Sequence, residues 1–348
     1  VADGGRRQQR AYIGSFTAAG GRGVLTAAVD RDTGALTVLG AVDGVPDPSY
    51  LAVSPDRDLL YAVSETAQGA VAAYRLNAAE PELVGPPTRI GGSGPTHLTV
   101  FGGHVLTANY DSGSVSVLPV TPGGGLAGAA SCVLRHQGSG PFTPRQQTPH
   151  AHQVQPDPTG RWAVSVDLGT DSVRVCALDG GTLTVHRETA LRPGSGPRHL
   201  AFHPGGGHAY VLNELAPTVT VCRWDAAEGS LRPVAETAVL PGAPDGDAFP
   251  SGIAVSPDGR FVWAATRGQD VVSVLTADAS GKSLRLVATV PCGGVWPRAL
   301  TLDPSGRFLY AANERSGDVT WFVVDPDTGV PRRGGSVPAP AASCVVFG

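Results

Sequence analysis

The stretch Pro297–Val324, PRALTLDPSGRFLYAANERSGDVTWFVV, reads as three short strands and the turns between them. Asp303-Pro304-Ser305-Gly306 has turn chemistry, with Pro fixing one φ and Gly free to take a left-handed one. Runs of strand length, rich in β-branched and aromatic residues, lie on either side. The second run ends in the polar pair Asn313-Glu314, and a turn at Gly317 leads into the third. The same parts recur five times upstream. PSYLAVSPDRDLLYAVSE opens at Pro48, PTHLTVFGGHVLTANY at Pro95 and PHAHQVQPDPTGRWAVSVD at Pro149. PRHLAFHPGGGHAYVLNE opens at Pro197 and PSGIAVSPDGRFVWAATR at Pro250. The openings are 47, 54, 48, 53 and 47 residues apart, a period typical of repeat architectures. Several units continue into a Gly-Xaa-Leu segment, as at Gly229-Ser230-Leu231, which adds a fourth strand after a turn.

The two ends of the chain supply a seventh unit. Residues 340–348 (PAASCVVFG) match a first strand, 11–17 (AYIGSFT) a second and 23–29 a third. A solenoid would need polar capping repeats, whereas complementary half-repeats at the ends suit a ring that shares one sheet and leaves no free edge. No segment shows helical periodicity beyond single turns. The pattern predicts an all-β fold, a seven-bladed β-propeller of four-stranded antiparallel blades. The C-terminal strand closes the ring by joining the N-terminal blade. Residues 1–10 are expected to form a flexible tail and residues 11–348 a single propeller domain.

Composition narrows the function. The 348 residues are 41% hydrophobic, enough for a large core. A net charge of −4 without a basic stripe argues against nucleic acid as a partner. No apolar run approaches the roughly 18 residues of a membrane helix. The five cysteines are odd in number, far apart and never in a CxxC pair. They predict free thiols in a reducing compartment, hence a cytoplasmic protein without a disulfide framework or zinc site. The polar N-terminus, VADGGRRQQR, carries no apolar core of a signal peptide.

In a propeller the first strand of each blade lines the central channel, so equivalent positions of the repeat converge on one space. The residue after each opening Pro gives one column: Ser49, Thr96, His150, Arg198, Ser251 and Arg298. The residue ending the second strand gives another: Glu65, Tyr110, Asp167, Glu214, Arg267 and Glu314. Solvated loop ends could also be polar. Arginines and carboxylates gathered on one channel are costly to bury unless they pair or bind something. An Arg at a channel mouth offers a planar fork to a carboxylate or phosphate. His150 and His152 share a strand face, but no third ligand accompanies them, so no metal is expected. His152 aligns with Leu51, Leu200 and Leu300 as a packing position, a histidine of the core or one supporting the site, while His150 faces the channel. Insertions before Pro149 (with His136, Phe142 and Arg145) and before Pro250 (with Asp245, Asp247 and Phe249) are candidate loops over the channel mouth. No Gly-Ser-Gly in the chain forms a nucleophile elbow.

The motifs PHAHQVQPDPTG, GSGPRHLAFHP, YVLNE, PSGIAVSPDGRFVWAATRG and WPRALTLDPSGRFLYAANE resemble the seven-bladed propeller lactonase family, from Tyr12 to Phe347. That family includes bacterial 6-phosphogluconolactonases and fungal 3-carboxy-cis,cis-muconate lactonizing enzymes. The resemblance implies a site in the channel without metal or cofactor. It implies that His150, Arg198, Glu214 and Arg267 are catalytic. Gly268-Gln269-Asp270 follows Arg267 where relatives often carry a His before the Asp. The columns add Arg298, Glu314, Asp167 and Glu65 as substrate-binding residues, and His152 on the His150 strand and Phe249 of the insertion before Pro250 join them. The expected activity is metal-free hydrolysis of a sugar lactone such as 6-phosphogluconolactone. The alternatives are a 3-carboxymuconate-type cycloisomerase, a specialised cyclase using the same His/Arg/Glu pocket, and a non-catalytic propeller scaffold. The expected partner is a small anionic substrate, with no nucleic acid or membrane, and the expected state is a monomer or weak homo-oligomer.

Overall fold

The structure, a computed structural model, describes residues 9–77 and 79–348. Seven antiparallel sheets follow one another around a central channel, each running from an inner strand outward. In the first blade the inner strand is Ala342–Phe347, paired with Arg10–Ser15 and followed by Val24–Val29 and Leu36–Val42. The chain ends therefore close the ring as expected. Most of the expected 1–10 tail lies outside the described residues, and Arg10 already belongs to a strand. The inner strands of the other blades are Leu51–Val53, Pro95–Phe101, Ala151–Pro156, Pro197–Phe202, Phe249–Val255 and Pro297–Leu302. The outer strand of the second blade comes in two pieces, Glu82–Leu83 and Thr88–Arg89. Gly85-Pro86-Pro87 lies between them, where the prolines offer no N–H to a ladder.

The repeated aromatic of the second strand joins neighbouring blades. Tyr61, Tyr210 and Tyr310 are buried and donate their hydroxyls to the carbonyls of Gly124, Gly281 and Gly34 in the next blade, at 2.7–2.9 Å. Trp263 does the same through its indole N–H to Gly329, at 2.7 Å. Each large ring thus fills the space between blades while its polar atom finds a partner. The buried asparagines that recur before the channel residues have a local role. Asn109, Asn213 and Asn313 donate to Ser or Thr hydroxyls on the third strand of their own blade.

A β-bulge near the start of the inner strand sets the channel lining. Pro197 pairs with Asn213 and His199 with Leu212, so Arg198 has no ladder partner. The same slip leaves Ser343, Thr96 and Arg298 unpaired, and both Ser251 and Gly252 in the sixth blade. An extra residue in one strand bends it and re-aims its side chain.

This register corrects one column of the sequence reading. In the fourth blade Ala151, not Pro149, takes the opening position: it pairs with Asp167, and Gln153 pairs with Val166. The bulged residue is therefore His152, which stands in the Arg198 position rather than in a packing position. Asp167 falls at the level of Asn213 and Asn313, and Leu168 at the level of Glu214. The main chain agrees. The N–H of Leu168 donates to His150, as those of Glu65, Tyr110, Glu214 and Glu314 donate to Asp47, Gly94, Gly196 and Trp296.

Candidate active site

Two rings of side chains line one mouth of the channel. The outer ring is Phe16, Glu65, Tyr110, Leu168, Glu214, Arg267 and Glu314. Phe16 joins it because its N–H donates to Ala341 in the closing blade. The deeper ring is the set of bulged residues. At this ring the channel narrows to a space of about 10 Å³ bounded by Ser49, Thr96, Arg198, Arg298 and Ser343. It then widens on the far side into a cavity of about 490 Å³ lined by Tyr50, His97, His199, Gln153 and apolar residues of the inner strands.

Glu214 is the centre of the mouth. Its carboxylate, 4% exposed, lies 2.7 Å from Arg145 Nη2, 3.0 Å from Arg198 Nε and 2.9 Å from Arg267 Nη2. Burial pushes Glu214 up, but Arg267, Arg198 and Arg145 together outweigh it and hold the group at about 2. Arg198 Nε and Arg267 Nη2 pair with the carboxylate, and neither nitrogen has another partner among the described residues. Arg198 reaches across to the Ser251 carbonyl through Nη1. Burial, then Arg267, push it down to about 9, which leaves it cationic at neutral pH. Arg267 donates its Nε–H to the Phe249 carbonyl and lies 5.9 Å from the Phe249 ring and 5.6 Å from Trp296.

Arg145 arrives from the long insertion before Pro149 and also meets the Tyr110 hydroxyl, at 3.1 Å. On the other side of the mouth Arg298 lies between Glu65 (3.2 Å) and Glu314 (3.4 Å), with the Phe16 ring 4.7 Å from its guanidinium. Ser49 donates its hydroxyl to Glu65.

Five aromatic contacts run in series from the mouth inward. His150 stacks on Tyr110 at 4.2 Å, and Tyr110 meets His152 edge-on at 5.4 Å. His152 meets His199 at 5.4 Å, His199 meets His97 at 5.7 Å, and His97 meets Tyr50 at 4.3 Å. His150 is half-buried, and its Nδ1 lies 2.8 Å from the Tyr110 carbonyl. A carbonyl only accepts, so Nδ1 carries a proton, and Nε2 lies 3.5 Å from the Thr148 hydroxyl. His152 Nε2 is 3.9 Å from Glu214. Burial, then the charge of Arg198, hold His152 and His199 well below the usual imidazole range, and His97 falls to about 3.

The structure brings together Arg198, Glu214, Arg267 and His152, with Phe249 and Trp296 beside Arg267, and His150 stacks on Tyr110, which meets His152 and Arg145. Arg298, Glu65 and Glu314 form a second group. Asp167 stands apart. It is fully buried, 2.6 Å from His136 Nδ1 and 3.6 Å from Arg174, and it accepts the main-chain N–H groups of His150 and Thr170. Every contact it makes is structural. It fixes the His150 backbone instead of facing the channel. The third layer, Tyr50, His97, Gln153 and His199, does not appear in the sequence columns. It is visible only once the bulge shows that the residues after it turn back toward the channel. Among the described residues no group of three or more His, Cys, Asp or Glu is placed to hold a metal ion.

Fold and site define an enzyme of the β-propeller class, with its polar side chains gathered at one channel mouth. The family model "Lactonase, 7-bladed beta-propeller" matches residues 10–347. The chain is 34% identical to the 6-phosphogluconolactonase of Bacillus subtilis, over 97% of each. It is 29% identical to a 6-phosphogluconolactonase of Formosa agariphila, over 91% of this chain and 93% of that one. The structure of the periplasmic gluconolactonase of Pseudomonas aeruginosa superposes with a TM-score of 0.89 and 28% identity, covering 97% and 98% of the two chains. The protein belongs to the seven-bladed β-propeller lactonase family and is a lactone hydrolase by class.

Proposed function

We propose that the protein hydrolyses the lactone of a phosphorylated sugar acid, 6-phosphogluconolactone, at the Glu214 side of the channel mouth. The carrying observation is that three guanidinium groups, two of them the buried Arg198 and Arg267, face the single carboxylate of Glu214, an excess of cationic donors at the mouth. Buried donors in excess ask for a ligand, and an anion satisfies them best. The names of the relatives support the same substrate.

His150 serves as general base. Its Nε2 takes a proton from water as the water oxygen bonds to the lactone carbonyl carbon. The carbonyl electrons move onto oxygen, and Arg198 and Arg267 stabilise that oxyanion from fixed positions. The intermediate collapses with cleavage of the bond between the carbonyl carbon and the ring oxygen. The proton on His150 passes to that oxygen, leaving an open-chain hydroxy acid. Glu214 holds the arginines in place, and Arg145, on its loop, binds the substrate phosphate. The same reading places the enzyme in the cytoplasm, where five free cysteines, four of them buried, would stay reduced.

The test is hydrolysis of 6-phosphogluconolactone above its spontaneous rate, measured on the wild type and on His150→Ala. The expected loss in kcat is about 100-fold or more, the usual scale for a general base. A His150→Ala variant with full turnover would remove His150 from the mechanism. A wild type with no turnover would overturn the substrate.

A further inference from the structure

The channel mouth is divided by charge. Around Glu214 stand three guanidinium groups, Arg145, Arg198 and Arg267. Across from them the balance inverts, with Arg298 alone between Glu65 and Glu314. The contacts of this second group are loose. Arg298 meets its carboxylates at 3.2 Å and 3.4 Å, where well-formed charge-assisted pairs sit at about 2.7–2.9 Å. The three side chains are 19–22% exposed, so they face the opening without being free in solvent. A carboxylate has about four acceptor sites. Glu65 uses some on Ser49 and Arg298, and Glu314 meets only Arg298 among the described hydrogen bonds. Phe16 offers an aromatic face beside them.

Such a set suits neighbouring hydroxyl groups on a saturated ring. Carboxylates accept their O–H groups, a loosely held guanidinium donates to their oxygens, and an aromatic face packs against the ring C–H bonds. It does not suit a second anion, which would meet two carboxylates. Resting on the lactonase reading above, we propose that Glu65, Glu314, Arg298 and Phe16 form the hydroxyl-recognising half of the site. They select polyhydroxylated lactones and reject substrates that carry a carboxylate in place of the hydroxyls.

The test measures binding separately from hydrolysis. D-Glucono-δ-lactam and δ-valerolactam share a ring that the enzyme would not open readily, and differ in hydroxyl groups. Calorimetry on the wild type should give at least about tenfold tighter binding of the hydroxylated lactam, the scale of one or two hydrogen bonds to a charged group. In Glu65→Gln and Glu314→Gln that ratio should shrink toward one. A wild-type ratio near one, or a ratio unchanged in both variants, overturns the inference. Because both lactams are probed in each protein, a general loss of folding lowers both affinities and leaves the ratio readable. A wild type that keeps the ratio but hydrolyses no sugar lactone sinks the lactonase reading and leaves hydroxyl recognition standing.

Discussion

Glu214 carries a disproportionate share of the electrostatics of the mouth. Three guanidinium groups converge on one buried carboxylate. Removing its charge leaves cations in a space that cannot solvate them. Breaking a buried charge network from one side costs about 3–5 kcal/mol. Glu214→Gln should lose that order of stability in urea unfolding at pH 7. Inorganic phosphate should restore more stability to the variant than to the wild type, because an added anion meets uncompensated arginines. Equal effects of phosphate on the two proteins would show that the arginines find other partners. Most of this cluster was legible in the sequence, since Arg198, Glu214 and Arg267 occupy matched places of a repeat. Arg145 was only one of several candidates in its loop. Nothing in a single chain says which residue of an insertion turns inward, because the loop follows no repeat.

At the scale of the element, the strands were legible and the bulges were not. Turn residues and alternating apolar runs fix where a strand starts and stops. A bulge depends on how two strands pair, and a one-residue slip changes which side chain faces the channel. Counting from Pro149 therefore put His150 and Asp167 in the columns that His152 and Leu168 occupy. The elements also hold the ring together through side chains that cross between blades. The indole of Trp263 donates to Gly329 at 2.7 Å, and Gly329 sits at φ +71° with its would-be Cβ 2.4 Å from the Phe261 ring. Tyr310→Phe deletes only the hydroxyl that bonds Gly34 and should cost about 1 kcal/mol. Gly329→Ala adds a methyl group where backbone and neighbour both oppose it, so it should cost more than Tyr310→Phe. Thermal unfolding of the two variants side by side checks the order. A Gly329→Ala protein as stable as the wild type would show that the turn relaxes without disturbing the blade contact.

The whole molecule concentrates titratable groups along its axis, and this sets its response to acid. His97, His152 and His199 converge there from three blades, all buried. Burial first, and the charge of Arg198 second, depress all three, His97 to about 3. An unfolded chain titrates its histidines near the ordinary value of about 6.5. Between that value and the folded ones, the unfolded state binds protons that the folded state refuses. Stability is thus full above about pH 6.5 and falls as pH drops below it, by up to about 1.4 kcal/mol per pH unit for each histidine. Glu214 adds a loss of the same sign lower down. Its folded value of about 2 lies below the usual 4.5, so its contribution is present above pH 4.5 and disappears as pH falls toward 2. Urea midpoints at constant ionic strength should therefore hold steady from pH 8 to 7 and decline steeply from pH 6 to 5. The decline in that window belongs to the histidines, and His97→Leu should make it shallower. A wild-type midpoint that stays flat to pH 5 would mean that the axial histidines titrate freely in the folded ring.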